Sequence, residues 1–147
     1  LRDADDAVAL GPALAESSAQ RVVVIGGGFI GLEAAAAARQ LGKDVTLVEG
    51  TGRLIGRVVA EPTSAFYLAA HRRRGTDIVL GARLTRILGV DASAAGRRGS
   101  VTGVELDDGR IIPADLVIIG IGVLPRVELA VQLGLDVDGG IVVDDSC

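Results

Sequence analysis

Gly26, Gly28 and Gly31 fit the spacing G-x-G-x-x-G within the run Gly26-Gly27-Gly28-Phe29-Ile30-Gly31. Glycines at that spacing can hold the pyrophosphate of a dinucleotide. Gly26 permits a tight turn, Gly28 lets the backbone approach a phosphate, and Gly31 lets a helix pack close to a strand. Phosphates held there would face the N-terminus of that helix, where unpaired amides and aligned peptide dipoles favour negative charge. Glu49 stands 18 positions after Gly31, close to the ~20-residue offset of an acid that accepts from an adenosine ribose 2′-OH. A carboxylate there would repel a 2′-phosphate.

A glycine pattern alone is weak evidence, because a plain turn followed by a solvated Glu carries the same letters. The surrounding elements have to position these residues, and their order is informative. The β-branched run Val22-Val23-Val24-Ile25 predicts a strand, Arg21–Ile25, that leads straight into the glycines. An Ala-rich segment from about Phe29 to Leu41 predicts a helix, with Gly42 as its left-handed stop. Val45–Glu49 predicts a second strand, and Glu49 falls at its end. Strand, glycine turn, helix, strand and acid follow one another as a dinucleotide grip requires.

A glycine-rich loop with Arg53 and Arg57 comes next, able to reach adenine or phosphates or simply to contact water. A helix is expected over residues 61–74, stopped by Gly75, and then a short strand at Asp77–Leu80. Leu84–Val90, Ser100–Leu106 and Arg110–Ile112 read as an antiparallel meander, turned at Gly96–Gly99 and at Asp107-Asp108-Gly109. The continuous apolar run in Asp115–Ile119 predicts a buried strand, ending in Gly120-Ile121-Gly122. A short helix near residues 127–133 and a last β run at Gly140–Val143 close the pattern. Before the first strand, one short helix is expected at Asp3–Leu10 and a second at Pro12–Ser18. The fold class that emerges is α/β: a Rossmann-like parallel sheet of βαβ units with a three-stranded antiparallel meander as a crossover.

Composition narrows the function. The 147 residues are 49% hydrophobic but only 2% aromatic, so the core must be aliphatic. A net charge of −4 argues against a nucleic-acid partner, which calls for a basic surface. One cysteine excludes an internal disulfide framework, and one histidine excludes a His-rich metal site. No apolar run is long enough for a membrane span and no signal peptide is visible, so a cytoplasmic location is expected. The chain has no Met and starts at Leu1, and it reads as a piece of a longer protein. His71-Arg72-Arg73-Arg74 reads as a solvated last helical turn whose cations complement the helix dipole, or as part of a docking face for an acidic electron-transfer protein. Cys147 reads as an incidental thiol.

GGGFIGLEAA, then VEG with its arginine-bearing loop, then ELDDGRIIPADLVIIGIGVLPRVELA and GGIVVDD together resemble a known family. That family is the FAD-dependent pyridine nucleotide-disulfide oxidoreductases, specifically their NAD-binding domain. The chain is most similar to the ferredoxin reductase branch, which includes the putidaredoxin, rhodocoxin and rubredoxin reductases. The resemblance implies that residues 1–19 lead in from an FAD domain not contained here and that residues 20–147 form the NAD(P)-binding domain. It implies hydride transfer from NADH to FAD, and electron transfer onward to a ferredoxin-like iron–sulfur protein. Gly26, Gly28, Phe29, Ile30 and Gly31 would form the pyrophosphate loop. Glu33, in the pattern G-x-G-x-x-G-x-E, would stand near nicotinamide and flavin, unless it is only a helix N-terminal acid. Glu49 would bind the adenine ribose, with Arg57 nearby. Gly120 and Gly122 would lie beside the nicotinamide. No catalytic side chain and no metal ligand are expected in this portion, which alone should be inactive. Two alternatives stay open: the NAD domain of a disulfide, peroxide or nitrite reductase or NADH oxidase, and a non-enzymatic NAD-sensing module.

Overall fold

Side-chain alternation along the first strand sets the layering. In β1 (Arg21–Ile25), Val22 and Val24 pack into one core while Val23 and Ile25 pack into another. Successive strand side chains point to opposite faces, so a strand this apolar must be covered on both. The computed structural model describes residues 3–16, 18–90 and 100–146, and in it β1 is central. It pairs in parallel with β2 (Asp44–Glu49) on one side and β7 (Leu116–Ile119) on the other. β3 (Asp77–Leu80) pairs in parallel with β2, giving the order β3-β2-β1-β7.

One face of this sheet is covered by α2 (Phe29–Gln40), which lays Leu32, Ala34, Ala35 and Ala38 against Val22, Val24, Val45 and Leu47. Alanine both favours the helix and lets it lie close to the strands. α3 (Glu61–Arg73) joins β2 to β3; its Ser64 is buried and donates to the Leu54 carbonyl at 2.7 Å. The other face is covered by the meander β4 (Leu84–Val90), β5 (Ser100–Leu106) and β6 (Ile111–Pro113). Val104 and Leu106 of β5 close on Val23, Ile25 and Val48. Each Val or Leu so buried contributes about 1.5–3 kcal/mol, and a one-residue slip would exchange the two faces. The α/β class with a meander crossover is thus the observed fold.

The register of β7 against β1 is held at the end of the sheet away from the glycine turn. Asp115 accepts from the amides of Gln20 (3.1 Å) and Arg21 (2.8 Å), and its carboxylate pairs with the Arg21 guanidinium. The Asp115 amide returns a bond to the Arg21 carbonyl at 2.8 Å. Hydrogen bonds and charge from Arg21, led by its side chain, hold the Asp115 carboxyl down at about 2.

Five expectations need correction. The leading segment is one helix, α1 (Ala4–Ala15), with Pro12 inside it. Val8, whose carbonyl loses its partner to Pro12, and Pro12 itself are both exposed, so water can replace the missing bond. Leu14 of α1 reaches the core, and Lys43 is buried with its Nζ donating to the Glu16 carbonyl at 2.8 Å. β7 is only half-covered, because it is the outer strand of the parallel sheet; Ile119 is exposed. Gly140–Val143 forms no strand. It makes one bridge, Val137 to Ile141, and has no neighbouring strand among the described residues. At the end of α3 the three arginines are solvated but His71 is buried, and burial, then Arg74, lowers its pKa. Arg110 stands just before β6 rather than in it. The Gly96–Gly99 turn and Cys147 lie outside the described residues.

Two outcomes follow from these contacts. A Cβ on Gly31 would overlap the Gly26 carbonyl oxygen. Gly31→Ala should therefore destabilise the fold by about 1–3 kcal/mol or more, seen as a lower urea midpoint; an unchanged midpoint would show that the helix can lift off the strand freely. Asp115 has a folded pKa near 2 against an ordinary 3.8. Its stabilising effect is complete above the ordinary value and is lost as pH falls towards 2. Asp115→Asn should flatten the acid limb of a stability–pH curve in that window and lower stability at neutral pH; an unaltered acid limb would mean the pair adds nothing.

Candidate functional site

The carboxyl ends of β1, β2 and β7 lie side by side, and three glycines meet there. Gly26 leaves β1 with φ of 107°, and a Cβ on it would overlap the Gly120 carbonyl oxygen. Gly31, in the first turn of α2, lies on the Gly26 carbonyl, and a Cβ built on Gly120 would fall 3.4 Å from the Gly31 amide. The Gly26 amide donates to Val48 at 2.8 Å and the Gly120 amide to Ile25 at 2.8 Å, tying the crossing to all three strands. At Gly26 and Gly31 only backbone fits this space, while a Cβ on Gly120 would make ordinary contact.

Gly28 differs from them. It is the N-cap of α2 with extended backbone, φ −80°, and a Cβ on it would meet nothing within 4 Å. It faces a cleft of about 800 Å³. The first amides of α2 have no intrahelical acceptor there, so the cradle suits an anionic group approaching the backbone.

Gly26, Gly28, Phe29, Ile30, Glu49, Arg57, Gly120 and Gly122 all line that cleft. Gly31 lies beneath it as packing. Glu33 is not brought there. It is exposed, and it stands in the second turn of α2, whose first turn holds no acid. A second cleft of about 1070 Å³ shares Gly28, Phe29, Glu49 and Arg57 with the first and runs under the loop after β2.

Glu49 does more than end a strand. Its Oε2 accepts from the Gly27 amide at 2.7 Å, and its Oε1 accepts from the Thr51 amide and hydroxyl, each at 2.7 Å. A carboxylate offers about four acceptor sites, so one remains for an incoming hydroxyl. Gly27 is itself constrained, since a Cβ there would come within 2.6 Å of Leu54. Its carbonyl accepts from the Ile55 amide at 2.9 Å. Ile55 is buried with φ of 51°, a costly backbone for a β-branched residue. That strain is held by the bond to Gly27 and by burial of the side chain. Arg53 spans its own loop, donating to Val59 at 2.8 Å and Gly56 at 2.5 Å. Arg57 is exposed, with no acid paired to it among the described residues.

Sequence reasoning missed Gly27, Thr51, Ile55 and, across the cleft, Gly50, Ala82 and Arg83. Thr51 adjoins Glu49 and was findable by position. Arg83 becomes visible only when β3 is placed beside β2, which brings the β3–β4 turn to the cleft.

A parallel sheet with a glycine crossing and a helix N-terminus at its carboxyl edge defines a Rossmann-like α/β domain, here with helices on one face and a meander on the other. The family model for pyridine nucleotide-disulphide oxidoreductases matches residues 1–147, and the chain belongs to that family. It is 47% identical over 126 residues to a ferredoxin–NAD(P)(+) reductase from Sphingomonas sp, covering 86% of this chain and 29% of the relative. It is 48% identical over 125 residues to putidaredoxin reductase from Pseudomonas putida, covering 85% of this chain and 28% of that one. The solved putidaredoxin reductase–putidaredoxin complex superposes with a TM-score of 0.84 at 43% identity, covering 99% of this chain and 33% of the other. The chain thus spans under a third of the length of these two curated relatives.

The three hydrogen bonds accepted by Glu49 have a measurable consequence. Hydrogen bonds to charged groups contribute about 1.5–3 kcal/mol. Glu49→Ala should speed amide exchange at Gly27 and Thr51 by roughly ten-fold or more, leaving β1 and β5 amides protected. Unchanged exchange at both would show that the carboxylate does not brace the glycine loop.

Proposed function

We propose that this chain is the NAD(H)-binding domain of a longer FAD-dependent reductase that passes electrons from NADH to a ferredoxin-type iron–sulfur protein in the cytoplasm. One observation carries the reading. The open backbone at Gly28 and the acid Glu49 line one cleft at the carboxyl edge of a parallel sheet, where α/β folds bind nucleotides. The family supports the cofactors, and the likeness to ferredoxin and putidaredoxin reductases supports the acceptor.

In this reading Gly28 and the first amides of α2 hold the pyrophosphate. The remaining acceptor site of Glu49 takes the adenine ribose. Gly120 and Gly122, at the end of β7, flank the nicotinamide. Nicotinamide and flavin supply the hydride chemistry when bound. The chain's own residues bind, orient and select. Glu33 lines neither cleft; family resemblance alone gives it a role, that of a residue positioning the nicotinamide in the longer protein.

The test is calorimetry on the chain. NADH should bind more tightly than NADPH by about one to two decades, the weight of one charge-assisted hydrogen bond at Glu49. Gly28→Ala should leave thermal stability unchanged, because its Cβ meets open space, yet weaken NADH binding about ten-fold or more. The purified chain should carry no flavin. Failure to bind NADH, or a stoichiometric flavin spectrum, would sink the reading.

For Glu33 the measurement belongs to the longer protein. Glu33→Ala should slow flavin reduction by NADH by about ten-fold, while ADP-ribose, which lacks the nicotinamide, keeps its affinity. If ADP-ribose binding collapses and the saturated reduction rate holds, Glu33 supports the phosphate loop instead.

A further inference from the structure

The cleft holds three ionisable side chains, Glu49, Arg57 and Arg83, so its cations outnumber its anion. Arg83 is the one that neither the glycine motif nor the strand-end acid foretells. It leaves the turn between β3 and β4, and its backbone is clamped on both sides. The Arg83 amide donates to Asp107 Oδ1 at 3.0 Å, and the Asp107 amide donates to the Arg83 carbonyl at 2.9 Å. The side-chain stem lies along Gly50, where an added Cβ would fall 3.2 Å from Cγ and 3.6 Å from Nε. Gly50 directly follows Glu49. The guanidinium is exposed, but it starts from a braced backbone, its stem passes the residue next to Glu49, and it lines the same cleft. Among the described residues no carboxylate pairs with it. Arg57 has a weaker claim, since it stands on the loop after β2 and faces both clefts.

We infer that Arg83 is a specificity-determining residue: it receives the 2′-phosphate of NADPH and so limits the preference for NADH that Glu49 imposes. The inference rests on the reading of the cleft as a dinucleotide site. A guanidinium carried on a braced backbone is suited to a phosphate dianion, and an arginine near the ribose acid is the usual means of tolerating a 2′-phosphate. With Glu49 already accepting three bonds from its own chain, the added phosphate meets a preoccupied anion and an unpaired cation.

Calorimetric titration of NADH and NADPH into the wild-type chain, Arg83→Gln and Arg83→Lys decides it. In Arg83→Gln the ratio of the NADPH Kd to the NADH Kd should rise about ten-fold. Arg83→Lys should recover part of that change, and added salt should move the wild-type ratio towards the Gln value, since an exposed ion pair is screened. An unchanged ratio overturns the inference. So does an equal loss for both dinucleotides, which would make Arg83 an adenine or pyrophosphate contact. A wild-type chain that binds neither dinucleotide defeats the dinucleotide reading itself, an outcome distinct from a ratio that stays put.

Discussion

The structure turns on three backbones that touch. Gly26, Gly31 and Gly120 come from the end of β1, the start of α2 and the end of β7, and a Cβ on Gly26 or Gly31 would overlap a neighbouring glycine's carbonyl. Their contact sets how closely the helix approaches the sheet. It also brings the turn after β7 against the turn after β1. The cleft exists because these two turns are held together while the meander covers the opposite face of the sheet. The Asp115–Arg21 pairing holds the same two strands in register at the far end. β1 and β7 are thus tied at both ends, by the Asp115–Arg21 pair at one and by the Gly120 amide on the Ile25 carbonyl at the other.

Glu49 joins the remaining pieces. Through one carboxylate it ties the glycine loop at Gly27 to the loop that begins at Thr51. Through Gly27 that link continues to Ile55, whose strained backbone closes the loop over Leu54 and Ser64. The acid that would read a ribose is therefore also a structural member. In the proposed reading, binding and local order share the same oxygen atoms.

Much of this was legible in the sequence, for physical reasons. β1 reads as a strand because four β-branched residues in succession suit a strand buried on both faces. α2 reads as a helix because alanine favours helix and Gly42 ends it. The meander reads from Asp107-Asp108-Gly109, where Gly109 takes φ of 83°. What was not legible depends on what lies alongside. The run Leu116–Ile119 is as apolar as β1, yet its outer place in the sheet leaves Ile119 exposed. Gly140–Val143 has strand-like residues and, among the described residues, no strand to pair with. Ile55 gives no hint of a left-handed backbone, because its bond to Gly27 comes from 28 residues away. Pro12 looks like a helix break and is tolerated where its neighbours face water. Arg83 lies 34 residues beyond Glu49 in the chain and meets it only through strand order.

The double duty of Glu49 bears on how cofactor choice can be redesigned. Substitution of the strand-end acid is the direct way to change such a preference, but here it would also release the Gly27 and Thr51 amides and slacken the glycine loop. The two effects would arrive together and oppose each other. The turn between β3 and β4 carries no such burden: its backbone is held by Asp107 and its arginine is exposed at the cleft. If Arg83 reads the 2′-phosphate as inferred, a change there would retune selectivity while the glycine loop stays intact, and the evolvable position would lie opposite the motif rather than within it.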